Sequence, residues 1–135
     1  MVTASDPKGP WSDPIPLNKT GFDPSLFHDP DGTKWLVNML FDYRLDHKRF
    51  GGVGVQQYDP ETKKLVGPVY NVFKGSDKGT TEGPNIFYHD GWYYLVTAEG
   101  GTEFKHCVTM CRSEKLTGPY EISPYVPVLT SFGKD

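Results

Sequence analysis

The chain has 135 residues, of which 36% are hydrophobic and 23% are charged, and its formal net charge is -3. These figures describe one soluble globular domain with a single core and exclude a disordered or fibrous chain. The 14 Lys and Arg residues are scattered among 17 Asp and Glu residues, which disfavours binding to nucleic acid or to an anionic membrane surface. No apolar run is long enough for a membrane span, and the first residues lack the features of a signal peptide, so a cytoplasmic location is the default expectation.

The composition favours short β-strands joined by turns. Fifteen glycines, 12 prolines and an aromatic content of 14% are typical of a turn-rich β protein. Runs of β-forming residues predict strands, in chain order, at 25–28, 34–41, 52–58, 69–74, 85–89, 92–98, 106–112 and 120–123. Turn signals at 29–32 and 89–91 predict tight hairpins, so consecutive strands should pair antiparallel in an all-β fold.

An internal repeat organises these strands into units. The letters PSLF at 24–27 are echoed by PNIF at 84–87, and Gly-Pro precedes the last β run of a unit at 9–10, 67–68 and 118–119. Units of about 50 to 60 residues with four antiparallel strands are typical of β-propeller blades. The sequence therefore predicts two four-stranded blades, preceded by the end of an earlier blade.

The predicted boundaries place the two blades at 23–74 and 82–123. Residues 1–17 are expected to end a preceding blade, and residues 124–135 to start the next connection. A closed propeller needs at least four blades. We therefore expect the chain to be an interior part of a longer protein, or a protomer that completes its ring by association.

The sequence offers no pattern for a metal or a cofactor. Cys107 and Cys111 lie in one predicted strand, about 13 Å apart at about 3.3 Å per residue, which is too far for a disulfide or a shared metal. The four histidines lack zinc-ligand spacing, and no phosphate-binding glycine loop precedes a helix. We predict free thiols, no metal site and no cofactor.

Two carboxylates stand where the innermost predicted strands begin. Asp23 directly precedes Pro24, and Glu82 precedes Pro84 by two positions. In a propeller these strand starts surround one mouth of the central channel, so both acids can face a shared pocket. Glycoside hydrolysis uses such a pair, with one acid protonated for the leaving oxygen and another group ionised nearby. Asp before Pro is also a common turn former, and a Glu beside Gly-Pro is often simply solvated.

These motifs resemble glycoside hydrolase family 43, which comprises five-bladed β-propeller β-xylosidases and α-L-arabinofuranosidases. The match is carried by FDPSLF at 22–27 followed by TEGP at 81–84. Further segments resemble the β-xylosidase branch, namely GPWSDP at 9–14, LVNM at 36–39, YYLVTAEGGT at 93–102 and LTGPY at 116–120. The resemblance covers nearly the whole chain.

The resemblance implies a function and two residue roles. The expected activity is inverting hydrolysis that removes terminal β-1,4-xylose or α-L-arabinofuranose from xylan-derived oligosaccharides. Glu82 matches the general acid, and Asp23 matches the aspartate that modulates the pKa of this acid and orients the sugar. The family's general base lies in an Asn-Pro-Asp-Pro-type motif, about 6.5 to 9.5 Å from the acid, and this motif is absent from the chain. Asp6 and Asp13 belong to outer parts of the preceding unit, so the site is expected to be half present.

Blade topology nominates further residues that contact the substrate. The connection between the second and third strands of a blade returns to the mouth where the first strand begins. In the two blades these connections are 42–50 and 99–105. Arg44, His47, Arg49 and Phe50 are candidates for hydrogen bonding to, or stacking on, a sugar, and a solvated polar loop is the alternative. Phe22 is predicted to be a wall of the site.

Other interpretations of the sequence remain. The missing base favours a non-catalytic carbohydrate-binding or structural propeller fragment. Exposed blade faces and strand edges favour association, so a homo-oligomer is an alternative to a longer parent chain. The letters HDPDG at 28–32 faintly resemble a motif of retaining five-bladed fructosidases. We discount this likeness because Asp29 falls in a predicted hairpin turn.

Overall fold

The computed structural model describes residues 1–102, 104–130 and 133, and in these residues it contains strands and turns but no α-helix. The strands are β1 (Phe22–His28), β2 (Lys34–Phe41), β3 (Phe50–Asp59), β4 (Lys64–Phe73), β5 (Thr81–His89), β6 (Trp92–Glu99), β7 (Cys107–Ser113), β8 (Glu121–Ile122) and β9 (Leu129–Thr130). The predicted all-β class is confirmed. A search of the described ranges finds no helix long and apolar enough to cross a membrane.

The strands form two antiparallel sheets, each with the meander of a propeller blade. The first sheet has the order β1-β2-β3-β4, and the second has the order β5-β6-β7-β8. The predicted pairing of consecutive strands is therefore confirmed. The short β9 was not predicted, and it pairs with the start of β7 through Cys107 and Val108. Within the segments predicted as loops or connections, residues 103, 131, 132, 134 and 135 lie outside the described residues.

The last strand of the first sheet differs from its prediction. β4 begins at Lys64, so Gly67 and Pro68 lie inside the strand, whereas Gly118 and Pro119 do precede β8. Proline removes a backbone donor and is tolerated in edge strands. β4 is an edge strand, and its pairing with β3 shifts register near this point. The Gly-Pro marker is therefore not a strand boundary in the first sheet.

The two sheets share one hydrophobic core, because β5 packs against β1, β2 and β3. Side chains of both sheets meet there, since alternate residues of a strand point to one face. The buried members are Phe27, Val37, Val53, Val55, Val72, Phe73, Leu95, Cys111 and Leu116. This core fixes the relation between the first strands of the two sheets, β1 and β5.

A polar contact joins the sheets at the end of β1. The Tyr93 hydroxyl of β6 lies 3.1 and 3.2 Å from the two carboxylate oxygens of Asp29. Asp29 lies in the β1–β2 turn, where Gly32 N donates to its carbonyl oxygen at 2.9 Å, so the predicted hairpin is confirmed. Burial raises the pKa of the Asp29 carboxyl. Burial, and then the hydrogen bond with Asp29, raise the pKa of Tyr93 to about 12.

Residues 1–17 fold back on themselves beside the first sheet. Ile15 N donates to Met1 O at 2.8 Å, and Ser12 N donates to Thr3 O at 2.8 Å. Met1 and Ile15 also line a depression together with Leu36 of β2. This segment therefore lies on the face of β2 opposite the shared core. Its membership of a preceding blade stays a prediction.

Candidate active site

A groove of about 670 Å³ opens where β1, β3 and β5 begin. In an antiparallel meander the first and third strands run in the same direction, so their starts lie at one end of a sheet. The packing of β5 against β1 brings the start of the second sheet to the same end. The groove is lined by Phe22, Met39, Phe41, Lys48, Arg49, Phe50, Lys74, Ser76, Asp77, Gly79, Thr80 and Glu82. Four predicted site residues, Phe22, Arg49, Phe50 and Glu82, are therefore brought together.

The two acids lie at matching β-bulges, but they are one position out of register. Phe22 pairs with Met39 and Glu82 pairs with Ala98, and each pairing is followed by a register shift. Glu82 therefore corresponds to Phe22 in the other sheet, and Asp23 corresponds to Gly83. This offset agrees with the different spacing of the acids from Pro24 and Pro84 in the sequence. A bulge adds a residue to one strand and redirects side chains, so strand counting alone does not give the directions of these two carboxylates.

Asp23 and Gly83 share an uncommon backbone conformation. Their φ angles are 51° and 57°, in the left-handed region that glycine enters freely and aspartate enters more easily than most residues. Gly83 N donates to Asp23 Oδ2 at 3.1 Å. Two residues after Asp23 on β1, Ser25 Oγ donates a hydrogen bond to Pro84 O at 2.7 Å. The Asp23 carboxylate is thus held against the residue that directly follows Glu82.

The loop between β2 and β3 places two candidates beside the groove rather than in it. Arg44 and His47 line a second depression of about 370 Å³, and Arg49 lines both. Asp42, which sequence reasoning did not select, holds this loop: Arg44 Nε donates to its carboxylate at 2.8 Å, and His47 Nδ1 lies 3.1 Å away. The hydrogen bonds from Arg44 hold the pKa of the Asp42 carboxyl well below its usual range.

Phe41 is a further groove residue that sequence reasoning left inside a strand. Its ring centroid lies 5.3 Å from that of Phe22 and 5.8 Å from that of Tyr43. Phe41 ends β2 and pairs with Phe50, which begins β3. The available signal in the sequence was an aromatic residue on each side of the β2–β3 loop, Phe41 and Phe50, which could have indicated that Phe41 belongs to the site. The rings of Phe22, Phe41 and Phe50 give the groove an apolar part, and residues of the segment 76–80 give it a polar part.

The described residues place neither a metal cluster nor a reactive thiol at this groove. Among them, no group of three or more His, Cys, Asp or Glu side chains is placed to hold a metal ion. Cys107 and Cys111 are free and buried, which confirms the predicted free thiols. Burial, followed by the charge of Glu99, raises the pKa of the Cys111 thiol to about 12. This thiol is therefore neutral and is no nucleophile at ordinary pH.

The fold is that of propeller blades, with a carboxylate of one blade and aromatic and basic residues of its neighbour around one groove. The family model for "Glycosyl hydrolases family 43" matches residues 1–135. The chain belongs to this family.

Relatives and solved structures agree with this assignment. The chain is 53% identical over 131 residues to "Xylosidase/arabinosidase 43B" of Humicola insolens. This match covers 97% of the chain and 24% of that protein. It is 48% identical to the "Beta-xylosidase" of Bacillus subtilis (strain 168), over 98% of the chain and 25% of that protein. The crystal structure of xylan beta-1,4-xylosidase from Bacillus halodurans C-125 matches with a TM-score of 0.95 and 56% identity, over 98% of this chain and 26% of the other. The chain spans about a quarter of the length of the relatives it matches.

Proposed function

We propose that Asp23 and the residues that line the groove form part of the active site of an inverting exo-glycosidase, namely the part that carries the general acid. Its substrates are xylan-derived oligosaccharides that end in β-1,4-xylose or α-L-arabinofuranose. Glu82 protonates the leaving oxygen, and Asp23 orients the sugar and tunes the pKa of the acid. The observation that carries the proposal is the groove in which Glu82 faces Phe22, Arg49 and Phe50. The names of the xylosidase and arabinosidase relatives support the substrate class.

The groove has the composition that a sugar site needs. Aromatic rings present flat apolar surface to the apolar face of a pyranose or furanose ring. Arg49 and Lys48 supply hydrogen-bond donors for hydroxyl groups. In this proposal Arg44 and His47, tied to Asp42, shape the rim of the groove and reach only the more distant part of an oligosaccharide.

In this proposal a further blade supplies the general base, because no further carboxylate among the described residues is suitably placed at the groove. Asp6 and Asp13 are exposed, and neither lines the groove. Asp77 does line it, but its carboxylate is 84% exposed and lies 3.3 Å from Lys78 Nζ. The extra blades are supplied either by a longer chain, in line with the length of the relatives, or by association of several chains.

The test is hydrolysis of xylobiose and of 4-nitrophenyl glycosides of xylose and arabinofuranose, by the 135-residue chain and by the full-length polypeptide that contains it. We expect the full-length enzyme to turn over, and Glu82→Gln to lower kcat on xylobiose by about 10²- to 10⁴-fold, the usual contribution of a general acid. Asp23→Asn is also expected to lower it. Asp77→Asn is the matched control, because it removes an exposed carboxylate of the same groove.

The outcomes separate the alternatives. Equal losses in Glu82→Gln and Asp77→Asn would contradict the role of Glu82. Sugar binding without turnover by the full-length polypeptide would support the second candidate, a non-catalytic carbohydrate-binding propeller. That candidate is favoured by the lack of a placed general base among the described residues of the groove. Activity of the 135-residue chain alone, with an oligomeric mass, would assign the missing blades to further copies.

A further inference from the structure

Glu99, the last residue of β6, is a carboxylate buried beneath the groove. Only 1% of its surface is exposed, and it does not line the groove itself. Oε1 accepts hydrogen bonds from Ser76 N at 3.0 Å and from Thr81 Oγ1. Oε2 accepts from Thr109 Oγ1 at 2.8 Å and from Ser76 Oγ. Burying a carboxylate is costly unless it is well hydrogen-bonded, and here two strands and a loop contribute four donors to one group.

Two of the residues that donate to Glu99, Ser76 and Thr81, lie in the segment of the chain that leads to Glu82. Ser76 lies within the connection from β4 into β5, residues 74–80, and Thr81 begins β5, so Glu99 holds the part of the connection that leads into β5. The Ser76 hydroxyl also accepts a hydrogen bond from Lys78 N at 3.1 Å, so the middle of the connection is held as well. Asp77, Gly79 and Thr80, which lie between Ser76 and Thr81, line the groove.

Thr81 is the direct link between Glu99 and the acid. It is fully buried, it pairs with Glu99 across β5 and β6, and it immediately precedes Glu82. Since successive side chains of a strand point to opposite faces, a Thr81 side chain fixed inward sends the Glu82 side chain outward to the groove. The bulge that follows Glu82 leaves the strand without regular pairing until Asn85. The hydrogen bond from Thr81 to Glu99 is thus the last fixed side-chain contact before the acid.

We propose that Glu99 is a positioning residue for proton donation by Glu82, acting through Thr81. This inference rests on the proposed function, because it assumes that Glu82 is the general acid. Glu99 never touches the substrate. Its carboxylate sets the direction of the Thr81 side chain, and with it the position of the Glu82 carboxyl relative to the leaving oxygen.

Thr109 provides the matched control. Like Thr81, it is fully buried and donates one side-chain hydrogen bond to Glu99. It belongs to β7, on the other side of β6 from Glu82. Thr81→Val and Thr109→Val therefore remove the same kind of hydrogen bond from the same carboxylate, and only the first one breaks the link to Glu82. Thr81→Ser keeps the hydroxyl and serves as the conservative variant.

The experiment compares two substrates in the full-length polypeptide that contains these residues. The leaving group of xylobiose is a xylose unit, whose glycosidic oxygen takes a proton from the acid as the bond breaks, whereas 4-nitrophenyl β-xyloside releases a phenolate that needs none. The readout is the ratio of kcat on xylobiose to kcat on the nitrophenyl substrate, which a general loss of folded enzyme does not change. Glu82→Gln sets the ratio for complete loss of the acid.

We expect Thr81→Val to lower this ratio on the order of tenfold, because a small misplacement of a catalytic group costs rate steeply. We expect Thr81→Ser to restore it and Thr109→Val to leave it unchanged. Glu99→Gln should lower the ratio as Thr81→Val does, and the threonine pair decides the question if that variant fails to fold. An unchanged ratio in Thr81→Val, or equal drops in both valine variants, would overturn the positioning role alone. If Glu82→Gln itself leaves the ratio unchanged, the proposed function and this inference both fail.

Discussion

β2 and β6 occupy the same place in the two sheets, yet they are buried differently. Val37 pairs with Ser25, and Val96 pairs with Asn85, the residues that directly follow Pro24 and Pro84. Val37 is fully buried, whereas Val96 is only half-buried. β2 lies between residues 1–17 and the second sheet, so both of its faces are covered in the middle of the strand. β6 alternates between buried and half-buried residues, because only the face toward the first sheet is covered.

This difference shows that a blade does not bury its own apolar residues on both faces. The inner strands of the two sheets have the same repeat pattern, and the neighbour decides which of their side chains enter a core. Leu36 and Leu95 illustrate it, since they hold equivalent positions and contact different partners. Leu95 joins the core between the sheets, while Leu36 faces the depression lined by Met1 and Ile15.

The sharpest way to test this comparison is to truncate the same residue type in both sheets. Val37→Ala should lower the free energy of unfolding by about 2 kcal/mol, since it removes two buried methyl groups and leaves a cavity. Val96→Ala should cost less than half as much. Urea unfolding of the 135-residue chain measures both values.

Equal losses of unfolding free energy in Val37→Ala and Val96→Ala would contradict the difference in burial between β2 and β6. They would mean that the second face of β6 is covered in solution, for instance by another copy of the chain. Light scattering on the same samples distinguishes this outcome, because coverage by a second copy raises the mass.

The two bulges allow a smaller and more local test. Gly83 has a φ of 57°, and a Cβ there would meet only the Cβ of Ala98, at 4.0 Å. Gly83→Ala should therefore cost about 1 kcal/mol from backbone strain alone, without a clash. Asp23→Ala should be less stable than Asp23→Gly by a similar amount, because alanine meets the same strain at φ 51° and both variants lose the carboxylate. Equal stability of the two Asp23 variants, by thermal unfolding, would contradict the shared bulge conformation.

The smallest expected effects concern two tyrosines at the boundary between the sheets. Tyr93→Phe should cost about 1 kcal/mol, because Asp29 loses its hydrogen bond from the other sheet. Tyr120→Phe should be close to neutral, because the buried Tyr120 hydroxyl has no hydrogen-bond partner within the described residues. Similar losses in both variants, by urea unfolding, would show that the hydrogen bond to Asp29 is not what stabilises this boundary.

The same tyrosines predict a loss of stability at alkaline pH. The pKa of Tyr93 is about 12 in the folded chain, above its ordinary value of 10.0, so the folded state holds this proton more tightly than the unfolded state. The resulting stability is complete below about pH 10 and is lost as pH rises toward 12. Burial also raises the pKa of Tyr120. Each Phe variant should therefore flatten the decline between pH 10 and 12, and an unchanged decline in both would contradict the shifts.

Much of this fold follows from local signals in the sequence. The turns at 29–32 and 89–91 follow from Asp, Pro and Gly residues with strong turn preferences, and the strands between them from alternating apolar residues. The start of β4 was misplaced because Gly67 and Pro68 look like a strand boundary, and only the edge position of β4 permits them inside it. β9 was missed because two residues are too few to show a pattern.

The sequence by itself determined the strand order, the repeat and the family motifs that nominate Asp23 and Glu82, because these depend on neighbouring residues along the chain. Tertiary structure alone decided which candidates share the groove with Glu82, since Arg44 and His47 are held at the adjacent depression by Asp42. It also decided the β-bulges at which the two acids lie and the burial of Glu99 beneath the groove. The physical reason is that bulges, hydrogen bonds between strands and packing between sheets join residues distant in the chain, and no local pattern records those contacts.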